Sequence, residues 1–114
     1  MKLITAVIRP ASLSTVRAAL ITAGIGGLTV AEASLCNTGD IYPQVQLVAA
    51  DADNDLRMQL EIAVVDDELE RVLEALLSSA PADSPDNHRI FVTGLTQVLR
   101  TRTGEEDNLA IRSE

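Results

Sequence analysis

Apolar residues along this chain of 114 fall into runs whose spacing assigns each to a strand or a helix. Residues 3–8, LITAVI, are apolar almost without interruption, as in a strand covered on both faces, and Pro10 stops the pairing. Ser12 is placed to cap a helix whose Leu13, Val16, Leu20 and Ala23 share a stripe, and Gly24 suits the left-handed residue that ends it. The glycines of GIGG therefore read as a helix stop. A phosphate loop would need them between a strand and a helix start, and here they follow a helix. A strand from about Leu28 to Leu35 comes next. Residues 57–65, RMQLEIAVV, alternate at Met58, Leu60, Ile62 and Val64, the period of a strand. Asp67 and Glu70 have the spacing of a capping box, and the helix they open carries Leu69, Val72, Leu73, Leu76 and Leu77 as a full core stripe. After a loop rich in Pro, Asp and Asn, RIFVTG and QVLRTR supply two further short strands.

The two halves echo one another. Leu13, Val16, Ala19 and Leu20 recur 56 positions later as Leu69, Val72, Ala75 and Leu76. Repeated strand-helix-strand units predict an α+β fold, a ferredoxin-like βαββαβ sandwich. Its sheet is antiparallel, with two helices on one face and a long loop between strands 2 and 3. Residues 1–114 make a single domain at this length. The first strand is apolar on both faces and no third helix is available for the second face, so another copy of the chain is the simplest cover.

Composition narrows the chemistry. The core is built from Leu, Ile, Val and Ala, because the chain has one Phe, one Tyr and no Trp, and it offers no aromatic platform for stacked bases. Nine Lys and Arg against seventeen Asp and Glu leave a formal charge of −8, which argues against nucleic acid as a partner. Screening beyond roughly 8 Å still lets a local arginine cluster take a small anion. One cysteine, Cys36, and one histidine, His88, supply neither a disulfide nor a structural zinc site. A reduced, cytoplasmic protein is expected. The N-terminal apolar run is too short for a signal-peptide core or a membrane span, so no direct membrane insertion is expected. Asp51, Asp53 and Asp55 have the first three ligand positions of a calcium loop, but Leu56 and Ile62 stand where its Gly and Glu belong, leaving a solvated acidic turn and no expected metal. No Ser or Cys has an identifiable base, so the chain does not read as an enzyme.

The stretch VLRTRTGEEDNLAI, residues 98–111, alternates Arg100 and Arg102. In a strand, residues two apart point to one side at about 6.6 to 6.8 Å, which would present two guanidinium forks to a chain of phosphates. The alternative is a solvated pair that guards an edge strand against aggregation. The stretches MKLITAVIRPASLSTVRAALITAGIGGLTVAEA, LEIAVVDDELERVLEAL and RIFVTGLTQVLRTRTGEEDNLAI closely resemble the P-II signal-transduction (nitrogen-regulatory) proteins, most specifically in RTRTGEED. The resemblance implies a homotrimer with three clefts between neighbours that bind ATP or ADP. It also implies a long loop that engages a target enzyme, regulator or membrane transporter. By the same resemblance Arg100, Arg102 and Arg89 match residues that contact the nucleotide phosphates. Thr29 matches a threonine at the adenine end, and Arg57 stands where the family has a lysine near the terminal phosphate and the 2-oxoglutarate site.

Two regions depart from the family pattern. In the long loop, residues 37–56, Gly39 replaces a glutamine that helps hold magnesium and 2-oxoglutarate, and Tyr42 lies away from the position of the modified tyrosine. Neither 2-oxoglutarate sensing nor tyrosine modification of the usual kind is expected. Its segment IYPQVQLV, 41–48, is β-prone and is expected to order as a hairpin or against a partner. In the lid loop ADSPDNHR, Asp86 and His88 occupy two places that the family fills with glycine. A carboxylate repels phosphate, so the loop leans away, or the site holds ADP or AMP in preference, or it holds no nucleotide. Two readings stand. One is a trimeric regulator that binds ADP, ATP or AMP between subunits and acts on a partner through residues 37–56. The other is a trimeric scaffold without nucleotide that serves as an interaction protein or binds another small anion. Residues 103–114 form a C-terminal tail in both.

Overall fold

A computed structural model describes residues 1–34, 56–79 and 89–111. Its elements are β1 (Lys2–Ile8), α1 (Leu13–Thr22), β2 (Thr29–Ser34), β3 (Leu56–Val64), α2 (Leu69–Ser79), β4 (Ile90–Gly94) and a terminal turn of helix, α3 (Asn108–Ile111). The strands form one sheet in the order β2-β3-β1-β4, and every neighbouring pair is antiparallel. This is the ferredoxin-like arrangement that the repeated strand-helix-strand pattern predicts.

The core lies between one sheet face and the two long helices. Ile4, Ala6 and Ile8 of β1 and Leu60, Ile62 and Val64 of β3 point to that face, where they pack with Val16 and Leu20 of α1 and with Val72 and Leu76 of α2. Each buried core residue of β1 and α1 has its counterpart 56 positions on, Ile4 with Leu60 through to Leu20 with Leu76. The repeat is therefore a repeat of the core.

It also extends to the helix entries, in a form that differs from the expected caps. Both helices are reached through a 3-10 turn, Pro10–Ser12 and Asp66–Glu68. Ser12 makes no side-chain cap bond, and Asp67 lies inside the second turn instead of capping from outside it. The i+3 bonds of the turns, Ser12 N–H to Arg9 O and Glu68 N–H to Val65 O, both 3.0 Å, occupy N–H groups that a cap would otherwise serve. Asp66 instead accepts from the Met1 ammonium at 2.6 Å, with Lys2 Nζ at 3.9 Å. The end of α1 follows expectation: Gly24 has φ +90°, and Gly24 N–H to Ile21 O and Ile25 N–H to Leu20 O, both 3.0 Å, complete a Schellman motif. On α2 the expected stripe is too wide. Leu77 is 68% exposed, because the helix rests on the sheet through Val72 and Leu76 with Leu69 and Leu73 partly buried beside them.

The expected strand QVLRTR does not form. Only an isolated bridge, Leu99 with Glu106, appears there, and the chain turns back at Gly104, φ +76°. Arg100 N–H donates to Glu105 O at 2.9 Å, Gly104 N–H to Arg100 O at 2.8 Å, and Asp107 N–H to Val98 O at 2.7 Å. The segment satisfies its backbone by pairing with itself.

Leu3, Thr5 and Val7 point to the sheet's other face, and register adds Glu61, Ala63, Thr29, Phe91 and Thr93 to it. Phe91 is 53% exposed.

Candidate functional site

Across the open face one row of residues runs in register: Thr29 of β2 opposite Glu61 of β3, Glu61 opposite Thr5 of β1, and Thr5 opposite Phe91 of β4. At the β2 end of this row the sheet, the glycine turn after α1 and the C-terminal hairpin enclose an opening of about 600 Å³. Thr29, Glu61 and Ala63 line it from the sheet, and Val98, Arg100 and Ala110 from the hairpin. A hydroxyl, a carboxylate and a guanidinium thus border one concavity with partly apolar walls. A ligand carrying both an anionic group and hydroxyl or amine donors would find partners for each.

Arg100 is held by its own chain. Its Nη2 donates to Ala110 O at 3.1 Å, Nε lies 3.9 Å from Glu105 Oε1, and the side chain is 22% exposed. Thr103 Oγ1 donates to the same Glu105 oxygen at 2.8 Å. Arg102 lies in the turn at 101–103 and is exposed. The parallel pair of forks expected of a strand is therefore replaced by one inward and one turn-borne arginine, because the backbone between them is not extended.

Arg57 and Arg89 belong elsewhere. Ile8 pairs with Met58, and Val7 N–H donates to Arg89 O at 3.4 Å, so topology brings Arg9, Arg57 and Arg89 to one end of the sheet. Arg57 is buried, 6% exposed, with Nη1 donating to Leu56 O at 2.9 Å. Arg89 is exposed. Four residues of strand, about 13 Å at 3.3 Å per residue, separate the Arg57 level from the Glu61 level. The five residues singled out in the sequence thus form two sets within one chain: Thr29 and Arg100 on one cavity, Arg57 and Arg89 at the sheet end, with Arg102 on the hairpin turn.

Two residues that lie beside these sets, Glu61 in the cavity and Arg9 at the sheet end, were not singled out from the sequence. Glu61 was legible in principle, since strict alternation with Leu60 and Ile62 puts it on the second face. Arg9 follows β1 directly, yet nothing in the sequence ties it to Arg57 and Arg89. A wider apolar groove of about 830 Å³ between α1 and β2, lined by Leu13, Ile21, Ile25 and Val30, holds none of the five. Among the described residues Asp66 is the titratable group clearly perturbed: the hydrogen bond from the Met1 ammonium, with that charge and Lys2 adding attraction, holds its carboxyl below the ordinary range against a smaller opposing effect of desolvation. Among the described residues no three His, Cys, Asp or Glu groups cluster as metal ligands, and no helix is long and apolar enough to cross a membrane. Cys36, Gly39, Tyr42, the 41–48 segment, the 51–55 acidic turn, Asp86 and His88 lie outside the described residues.

Comparison with known proteins agrees over nearly the whole chain. The family model described as Nitrogen regulatory protein P-II matches residues 1–105. Nitrogen regulatory protein GlnK of Escherichia coli K12 is 35% identical over 112 residues, covering 97% of this chain and 100% of GlnK. Nitrogen regulatory protein P-II of Rhizobium etli is 34% identical and that of Cereibacter sphaeroides 32%, with the same coverage.

Proposed function

The chain belongs to the nitrogen regulatory protein P-II family of signal transducers, and on that premise we propose that it is a cytoplasmic homotrimeric regulator that binds an adenine nucleotide between subunits. Its long loop, residues 37–56, then controls a partner protein such as a membrane transporter. The observation that carries this reading is the division of the basic residues. Thr29 and Arg100 share one cavity while Arg57 and Arg89 sit at the far end of the sheet, so a cleft using all of them needs a neighbouring subunit to supply the second set. The open sheet face, with Phe91 exposed and Leu3 and Val7 only half covered, favours such a neighbour. Thr29 and Glu61 offer the polar contacts suited to the nucleoside, and the arginines those suited to phosphate.

Calorimetric titration of ATP, ADP and AMP tests the proposal. Micromolar binding to the wild type is expected, and Arg100→Ala should weaken it about 10- to 100-fold, the scale of a hydrogen bond to a charged group. Binding that survives Arg100→Ala would remove the site assignment, and no binding by the wild type would remove the nucleotide. The second reading, a trimeric scaffold without nucleotide that serves as an interaction protein or takes another small anion, is favoured by the Asp86 and His88 substitutions in the lid sequence. It predicts an unchanged trimer by light scattering with no heat from any of the three nucleotides.

A further inference from the structure

The guanidinium best placed for an anion already carries acceptors, and two of these, among the described residues, come from one stretch of tail. After the turn at Gly104 the chain returns along itself: Glu105 O accepts from Arg100 N–H at 2.9 Å, and Asp107 exchanges two bonds with Val98, N–H to O at 2.7 Å and Oδ1 from N–H at 3.2 Å. Asp107 has φ +55° and starts α3, its carbonyl taking Ala110 N–H at 2.9 Å and Ile111 N–H at 3.1 Å. That single turn delivers the Ala110 carbonyl to Arg100 Nη2 at 3.1 Å, while the Glu105 carboxylate stands 3.9 Å from Nε. Ala110 and Ile111 also line the cavity that holds Thr29 and Glu61.

We propose that residues 105–111 are a latch that competes with the bound anion for Arg100. The inference rests on the nucleotide reading above and adds a regulated step to it. A phosphate that takes Arg100 through Nη2 and Nε competes there with the Ala110 carbonyl and the neighbouring Glu105 carboxylate, and the measured affinity is lowered by the fraction of molecules in which the latch is closed. The tail is suited to opening. Helix α3 has four residues, none of them buried, so little apolar surface holds it and its opening is local. The open state leaves the sheet and both long helices as they are, since their core contains no tail residue.

The test uses the full chain with ATP as the probe. Ala110→Pro removes the N–H that closes α3 on Asp107 without changing any charge, and Glu105→Gln removes the carboxylate beside Nε. Glu106→Gln removes an equal charge one residue away and serves as the control for a general field effect. Tightening of roughly two- to fivefold is expected for Glu105→Gln, and of that size or more for Ala110→Pro, with Glu106→Gln within about twofold of the wild type. Saturating ATP should speed hydrogen exchange of the wild-type amides of residues 110 and 111. Equal or weaker binding by Ala110→Pro together with unchanged exchange at 110 and 111 would overturn the latch and leave nucleotide binding standing. Equal tightening by Glu105→Gln and Glu106→Gln with no gain from Ala110→Pro would reduce the effect to net charge and also overturn it. ATP binding by neither the wild type nor any variant would overturn the nucleotide reading and the competition together. Binding by Ala110→Pro and Glu105→Gln alone would support the latch in its strongest form.

Discussion

The two faces of the sheet are made from the same strands, yet one is finished within the chain and the other is not. On the helix side Ile4, Leu20, Leu60, Val64 and Val72 are completely buried. Across the strand thickness Leu3 and Val7 are half covered and Phe91 is 53% exposed. The finished face obeys a repeat that matches the two halves apolar residue for apolar residue, whereas on the other the same offset of 56 pairs Thr5 with Glu61 and Leu3 with Gln59, which differ in chemistry. Stability in this protein therefore concentrates where the halves agree. On the function proposed above, recognition would concentrate where they differ, because a face that takes a neighbour can also hold a ligand against it.

Substitutions that affect only one face put this contrast at risk. The largest effect belongs to Leu20→Ala, which empties a completely buried position and should cost about 2–5 kcal/mol of unfolding free energy in a denaturant titration. A loss under about 1 kcal/mol would mean that the helix-side core is less closely packed than its burial implies. Next comes Phe91→Asp on the open face, expected to raise the dissociation midpoint of the assembly at least about tenfold by light scattering while circular dichroism keeps its helical signal. An unaltered assembly would place the subunit contact away from this face.

A smaller effect should follow pH at the N-terminus. Asp66 is held below its ordinary value mainly by the hydrogen bond from the Met1 ammonium, so its contribution is present above the unfolded-state value of about pH 4 and is lost as pH falls through the lower folded value. Wild type should exceed Asp66→Asn in thermal stability at pH 5 to 7, and the gap should close as acid titrates the carboxyl. A constant gap down to the acid limit would mean that the ion pair is not its source. Smallest of all, Leu77→Ala should change stability by less than about 0.5 kcal/mol in the same denaturant titration, because Leu77 is 68% exposed despite its place on the expected stripe.

Residue by residue, legibility followed the range of the interactions. Gly24 was readable as a helix end because the left-handed conformation needs only local chemistry, and the observed φ of +90° agrees. The alternation in β3 similarly identified Met58, Leu60, Ile62 and Val64 as one face, three of them buried and Met58 packed beside them. Ser12 and Asp67 carried the right composition for caps, but two 3-10 turns supplied the hydrogen bonds instead. Arg100 and Arg102 misled as a strand pair because alternation describes an extended backbone and cannot register a return at Gly104. The distribution of Thr29, Arg57, Arg89 and Arg100 between two places had no signature in their spacing.

By itself the sequence determined the period of each element, the doubled core and the family, since these rest on neighbours within a turn or on direct likeness along the chain. Tertiary structure alone decided that Thr29, Glu61 and Arg100 border one cavity, that Arg9, Arg57 and Arg89 gather at a sheet end, and that the tail holds Arg100 through Ala110. Those relations depend on strand register and on where a hairpin folds back, which couple residues tens of positions apart and leave no period for a linear pattern to display.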